Sequence, residues 1–195
     1  MVLALASLLV ALAAPATSRA IEASRLARAQ SDAWAIAAAI HNFITEFSPD
    51  FMPFTSTGAS GGTTVQMLVS DGDAPRELAG GASNLWMSPV GNAPLVDFLE
   101  RHLITNAPID GGSYTTAGAN PWRGAYIGGP LDPDPWGNRY AVNVLYLRSA
   151  TTNDTFVLSV GPDEEIDSAF TINGAHPEDD DIIAIVRRDP GLTVP

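Results

Sequence analysis

Met1 to Ala14 (MVLALASLLVALAA) carries no charge, and Pro15 and the polar Thr17-Ser18-Arg19 follow it. From Ile21 onward the pattern changes. Apolar side chains at Leu26, Ala29, Ala33, Ile36, Ile40, Phe43 or Ile44, and Phe47 recur every three or four residues, the stripe of an amphipathic helix. Arg19, Glu22, Arg25, Arg28, Asp32 and His41 fall outside that stripe. The many alanines favour helix, and Ser48-Pro49 predicts its end, because a residue before proline is pushed out of the α region. If continuous to Phe47, this spine spans roughly 70 Å, with Pro15 kinking or locally breaking it.

Beyond the spine the periodicity shortens. Residues 50–120 read mostly as loop, with Gly58–Thr64 and Asp71–Pro75 rich in turn formers. Val65–Val69 suits a short strand or a helical turn, and Leu85–Met87 is apolar between turn signals. Leu95–Ile104 places Leu95, Phe98, Leu99 and Leu103 on one face and predicts a short helix with Pro94 near its first turn. His102 within it reads as an exposed or capping histidine rather than a catalytic one. Tyr114–Asn120 reads as loop. Asp134-Pro135-Trp136-Gly137-Asn138-Arg139-Tyr140 predicts a tight turn: Pro135 fixes φ, while Gly137 and Asn138 tolerate positive φ. Strand-like runs follow at Tyr140–Leu147 and Phe156–Val160, and Ile182–Val186 could add another. The expected fold class is α+β: a long helix laid on a small antiparallel sheet of about three or four strands. Trp122, Tyr126, Trp136 and Tyr140 are expected near the helix–sheet junction. Three regions result: a hydrophobic segment over 1–20, an amphipathic continuation over 21–49, and a globular head over 50–195.

Composition narrows the chemistry. At 195 residues and 46% hydrophobic, the chain suits one domain plus an extension. Its net charge of −12 leaves no basic stripe for nucleic acid. Eight of its 22 acidic residues lie between Gly161 and Asp181 with no Lys or Arg among them: Asp163, Glu164, Glu165, Asp167, Glu178, Asp179, Asp180 and Asp181. Such a segment is either disordered or held by a cation. Cysteine is absent and there are three scattered histidines, so zinc and copper have no ligand set. Calcium takes six to eight oxygens in flexible geometry and suits carboxylate loops, although the EF-hand spacing is missing. A hydrolase using paired acids among Asp163, Glu165 and Asp167 has little support, because no G-x-S-x-G elbow, cysteine nucleophile or H-E-x-x-H is present. The apolar segment admits two readings: a secretory signal peptide cleaved after Ala20, or the lower part of a membrane helix that starts upstream of Met1. The long amphipathic spine behind it favours the second.

Trp122-Arg123-Gly124-Ala125-Tyr126-Ile127, then Pro130-Leu131, then Asp134 to Tyr140 (DPWGNRY) resembles the major pseudopilin of bacterial type II secretion systems. Leu158-Ser159-Val160-Gly161-Pro162-Asp163-Glu164 and Glu178-Asp179-Asp180-Asp181-Ile182 are similar to two further stretches of that family. The resemblance covers 121–182 by motif and the helix by pattern, with 50–120 longer than the family's usual connection. The family's cleaved leader, Phe and nearby glutamate have no counterpart here, and Ile183–Pro195 extends past the usual end. The resemblance implies a type IV pilin-like fold and a structural, non-enzymatic subunit. Such a subunit sits in the inner membrane with a periplasmic head. It self-associates into a helical filament with other pseudopilins and inner-membrane secretion components, supporting protein export. It also implies one calcium ion between the acidic loops, held by Asp163, Asp181 and Glu178, with Asp179 as a substitute for Glu178 and carbonyls from Val160 and Asp180. Glu164, Glu165 and Asp167 are then solvated. The competing reading is an exported soluble calcium-binding or carbohydrate-binding domain.

Overall fold

The computed structural model describes residues 2–47, 54–58, 62–76, 85–88, 91, 95–147, 153–171 and 177–187, with 2–16 and Phe47 described by their backbone alone. Helix α1, Val2–Phe47, is one element of 46 residues. It runs through Pro15, so the missing N–H and the ring weaken one rung of the ladder without ending the helix. The stop expected at Ser48-Pro49 lies outside the described residues.

The two halves of α1 have different surroundings. Between Thr17 and Arg28 every side chain is exposed except the half-buried Glu22. From Ala29 the stripe goes under: Ala29, Ala33, Ile36, Ala37, Ile40 and Phe43 are all buried. The alanines let the helix axis approach the sheet closely, and the larger Ile36, Ile40 and Phe43 fill the layer between. Leu26 and Trp34 remain 39% and 58% exposed, so the expected stripe holds except at its N-terminal end.

The sheet has five strands: β1 (Met67–Val69), β2 (Val96–Phe98), β3 (Ala141–Val142), β4 (Thr155–Ser159) and β5 (Ile182–Arg187), in the order β2-β1-β3-β4-β5. It is mixed rather than antiparallel, because β1 and β2 run parallel while the other pairs are antiparallel. A parallel pair needs a crossover of a dozen or more residues, and the long connection between Val69 and Val96 supplies it. Successive strand residues point to opposite faces. Leu68, Val142, Val157, Ala184 and Val186 pack with α1. Met67, Val69, Ala141, Phe156 and Leu158 face the other way, under Trp86, Tyr146, Ile166 and Phe170. β4 is therefore buried on both faces.

Two expectations from periodicity need correction. Of Tyr140–Leu147, two residues form β3, and Val144–Leu147 is a 3-10 turn. Asn143 is the cause. Its side-chain NH2 donates to the carbonyls of Asp154 and Phe170, and its Oδ1 accepts from Phe156 N–H at 2.8 Å. An amide side chain thus takes the place of the next ladder bonds. Leu95–Ile104 is not one helix: Val96–Phe98 is strand β2, and only Leu99–Leu103 forms helix α2. Pairing with β1 overrides the helical pattern there. Pro94 lies outside the described residues.

Candidate metal centre

The DPWGN turn is the joint between the helix, the sheet and the acidic loops. Asp134, 4% exposed, closes the turn on itself. Its Oδ1 accepts from the amides of Trp136 and Asn138 at 3.0 and 2.9 Å, and its Oδ2 from Ser159 Oγ at 2.8 Å. Ser159 is the last residue of β4, two positions before the first acidic loop. Gly137, at φ 100, supplies the positive dihedral the turn requires. The flanking aromatics reach α1: Trp136 Nε1 donates to Glu22 at 3.1 Å, and Tyr140 Oη donates to Asp32 at 3.3 Å. As expected, Tyr140 lies in the core and Trp122 and Tyr126 pack against it, with the Tyr126 ring 5.4 Å from that of Phe43.

From this joint the chain enters the first loop at Gly161, whose φ of 72 is one an L side chain rarely adopts. A Cβ there would also collide with the Asp180 carbonyl of the second loop. The close approach of the two loops therefore depends on glycine at 161. Asp180 Oδ2 accepts from Asp163 N–H at 3.1 Å. Arg76 holds the outside, donating to the Asp163 carbonyl at 3.0 Å and to the Glu164 carboxylate at 3.3 Å.

The result is a knot of four carboxylates. Asp163, Asp167, Asp179 and Asp180 each place one oxygen within 4.8 Å of the others. Asp167 Oδ2 and Asp180 Oδ1 are buried with no hydrogen-bond partner. Burial, then the neighbouring carboxylates, push Asp167 above the usual carboxylate range, and the same holds for Asp180, where the Asp163 amide partly offsets it. Like charges at this spacing, with oxygens aimed at no donor, fit a hard cation taking oxygen ligands.

The candidate ligands fall in different surroundings, and Asp181 Oδ1, like the Asp167 and Asp180 oxygens, is buried with no hydrogen-bond partner. Asp163, Asp179 and Asp180 are brought together, Asp180 through its side chain as well as its backbone. Asp181 is turned inward, 4% exposed, and its Oδ2 accepts from the amides of Asp167 and Ser168 at 3.1 and 2.6 Å. It staples the first loop to the start of β5, and burial pushes its carboxyl up to about 6. Glu178 is half-buried and lies outside the cluster; its carbonyl accepts from Asp181 N–H at 3.1 Å. Val160 is buried at the base of the loop. Asp167, expected in solvent, is in the knot, while Glu164 is engaged by Arg76. The signal for Asp167 was its place one turn beyond Asp163 in a segment of tight turns.

Beside the knot runs a groove of about 600 Å³ between α1 and the second loop, lined by Leu26, Trp34, Pro162, Pro177, Asp179 and Ile183 among others. Among the described residues, no helix is long and apolar enough to cross a membrane. In comparisons with known proteins, no family model, no curated protein and no solved structure matches the chain.

Proposed function

We propose that this protein is a structural subunit of a helical filament of the type II secretion pseudopilus kind, with calcium tying its two acidic loops. The division of α1 carries this reading. The half from Ala29 to Phe43 is buried against the head, whereas Thr17–Arg28 meets it through polar contacts such as Glu22–Trp136 and Arg28–Asp132 and leaves Ile21 and Leu26 51% and 39% exposed. A helix that keeps apolar side chains off its own domain has them free for neighbouring helices. The DPWGN turn and the paired acidic loops are the motifs on which the resemblance rests.

In this reading the head does no chemistry. Calcium, when bound, supplies charge neutralisation at Asp163, Asp167, Asp179 and Asp180. Asp181 and Arg76 hold the loops in reach of one another, and Gly161 sets their separation.

The test is assembly of the full chain in calcium, followed by electron microscopy. Filaments are expected, and Ile21→Asp combined with Leu26→Asp is expected to prevent them while leaving the head's melting unchanged. A chain that stays monomeric in detergent and in lipid, with and without calcium, would overturn the filament reading. A second reading, an exported calcium-dependent carbohydrate-binding domain, is favoured by one observation: Trp34 stands exposed in a groove beside the carboxylates. Calcium-dependent retention on polysaccharide, lost in Trp34→Ala, would select it.

A further inference from the structure

A second polar cluster lies at the other end of the head, in the excursion that precedes β3. Asp97 on β2, His102 on α2 and Tyr114 are 0%, 0% and 1% exposed. Asp97 Oδ1 accepts from Phe98 N–H at 2.8 Å and Arg101 Nη1 at 3.0 Å. Its Oδ2 accepts from Ile109 N–H at 2.8 Å and lies 3.0 Å from His102 Nε2. A carboxylate with four donors around it is ionised, so Nε2 carries its hydrogen. On the other side of the ring, His102 Nδ1 lies 2.7 Å from Tyr114 Oη. The Tyr114 oxygen also receives a backbone hydrogen bond from Thr55. Its own O–H is then directed to Nδ1, and every donor and acceptor is matched with the imidazole neutral.

One more proton breaks that match. With both ring nitrogens donating, Nδ1–H faces the Tyr114 O–H, and that hydroxyl must give up its bond to the ring in a site closed to solvent. Asp97 favours a charged ring, but burial outweighs it and Arg101 opposes it. Asp97 is also paired with Arg101, which reaches it from α2, and α1 brings the Phe43 ring to 5.2 Å from Tyr114. Phe54 closes the remaining side, 5.3 Å from His102 edge to face.

The contacts around the ring hold the excursion to the C-terminal end of α1. Asn106 exchanges hydrogen bonds with the Tyr114 backbone, at 3.0 and 2.6 Å. Trp122 Nε1 donates to the His102 carbonyl at 3.0 Å, and Tyr126 N–H to the Leu103 carbonyl at 2.7 Å. Tyr126 Oη then donates to Glu46 on α1 at 2.6 Å.

We propose that Asp97, His102 and Tyr114 form an acid-operated latch, in which proton uptake by His102 releases Tyr114 and frees residues 104–126 from α1 while β3–β5 stay paired. Burial holds the His102 ring below the ordinary histidine range. The released form therefore takes up the proton first as pH falls, and from about 6.5 down to the folded ring's own value the opening equilibrium grows by up to about tenfold per pH unit.

Hydrogen exchange of the full chain, corrected for intrinsic rates, tests this between about pH 7.5 and about pH 5. Amides of 104–126 are expected to lose at least about tenfold protection, with those of β4 and β5 unchanged; His102→Gln, which takes up no proton, is expected to remove the difference. A carboxylate effect at the metal centre would show instead in 161–181. Nitrogen-15 NMR of the wild-type histidines supplies a reading that does not depend on the variant folding. The Nε2–H tautomer is expected at neutral pH, with its loss accompanying the exchange change. Unchanged protection of 104–126, the same loss in His102→Gln, or a doubly protonated ring at neutral pH would each overturn the latch.

Discussion

Asp134 and Gly161 show how single side chains carry the site. The Asp134 carboxylate accepts from two amides and a hydroxyl in a buried turn, so removing it strands all three donors. Asp134→Ala is expected to destabilise the protein by about 2–4 kcal/mol in urea unfolding, since bonds to a charged acceptor contribute more than neutral ones and the stranded amides add to the loss. Gly161→Ala meets both a disfavoured φ and the Asp180 carbonyl. About 1–3 kcal/mol is expected, and calcium affinity, read by calorimetry, should fall with it because the loops must part. His102 has a pH signature. Its folded-state pKa is depressed, so its contribution is fully present above about 6.5 and is lost as pH falls from there toward the folded value, by up to about 1.4 kcal/mol per pH unit. Urea midpoints of wild type and His102→Gln across that range check the sign. A wild-type stability that rises on acidification in parallel with the variant's would contradict the assignment.

At the scale of elements, α1 is one helix with two duties. Ile40 is wholly buried against the sheet, whereas Ile21 is 51% exposed. Ile40→Ala is expected to cost about 2–5 kcal/mol, from lost burial and the cavity left behind. Ile21→Ala should stay within about 0.5 kcal/mol in the isolated protein yet weaken assembly. Thermal melts paired with sedimentation of assembled material separate the two. If both variants melt alike, the division at Ala29 is wrong. The strands follow the same logic: β4 is apolar on both faces because α1 covers one and Trp86, Ile166 and Phe170 cover the other. The parallel β1–β2 pair was not legible, because three residues leave too short a pattern to distinguish from helix and the partner lies far along the chain.

For the whole molecule, whose net charge is −12, eight of the 22 acidic residues lie in one segment without Lys or Arg. A cation at the knot would neutralise part of that repulsion and, by binding the folded state alone, stabilise it by about 2.7 kcal/mol at a hundredfold excess over Kd. Calcium is expected to raise the melting temperature and a chelator to reverse the rise. Asp167→Asn and Asp180→Asn should abolish the response, whereas Asp181→Asn should lower the melting temperature in calcium and chelator alike, because its carboxylate serves backbone amides. Equal melting with calcium and chelator would remove the metal centre, and loss of the response in Asp181→Asn alone would restore the family-like ligand set.

The sequence by itself determined what depends on neighbours along the chain. The helical stripe from Ala29 to Phe43, the turn at Asp134–Tyr140, the strands at Phe156 and Ile182, and the acidic character of 161–181 all follow from local pattern and residue type. Tertiary structure decided which of many like side chains meet. Aspartates at 163, 167, 179, 180 and 181 look interchangeable in one dimension, yet one faces inward to amides and four converge, because only the fold fixes where each Cβ points. His102 reads from the sequence as an exposed or capping histidine, yet it is fully buried, for the same reason. The groups that bury it, Asp97, Tyr114 and Phe54, reach it through loop closure and strand pairing, and no spacing in the sequence records that.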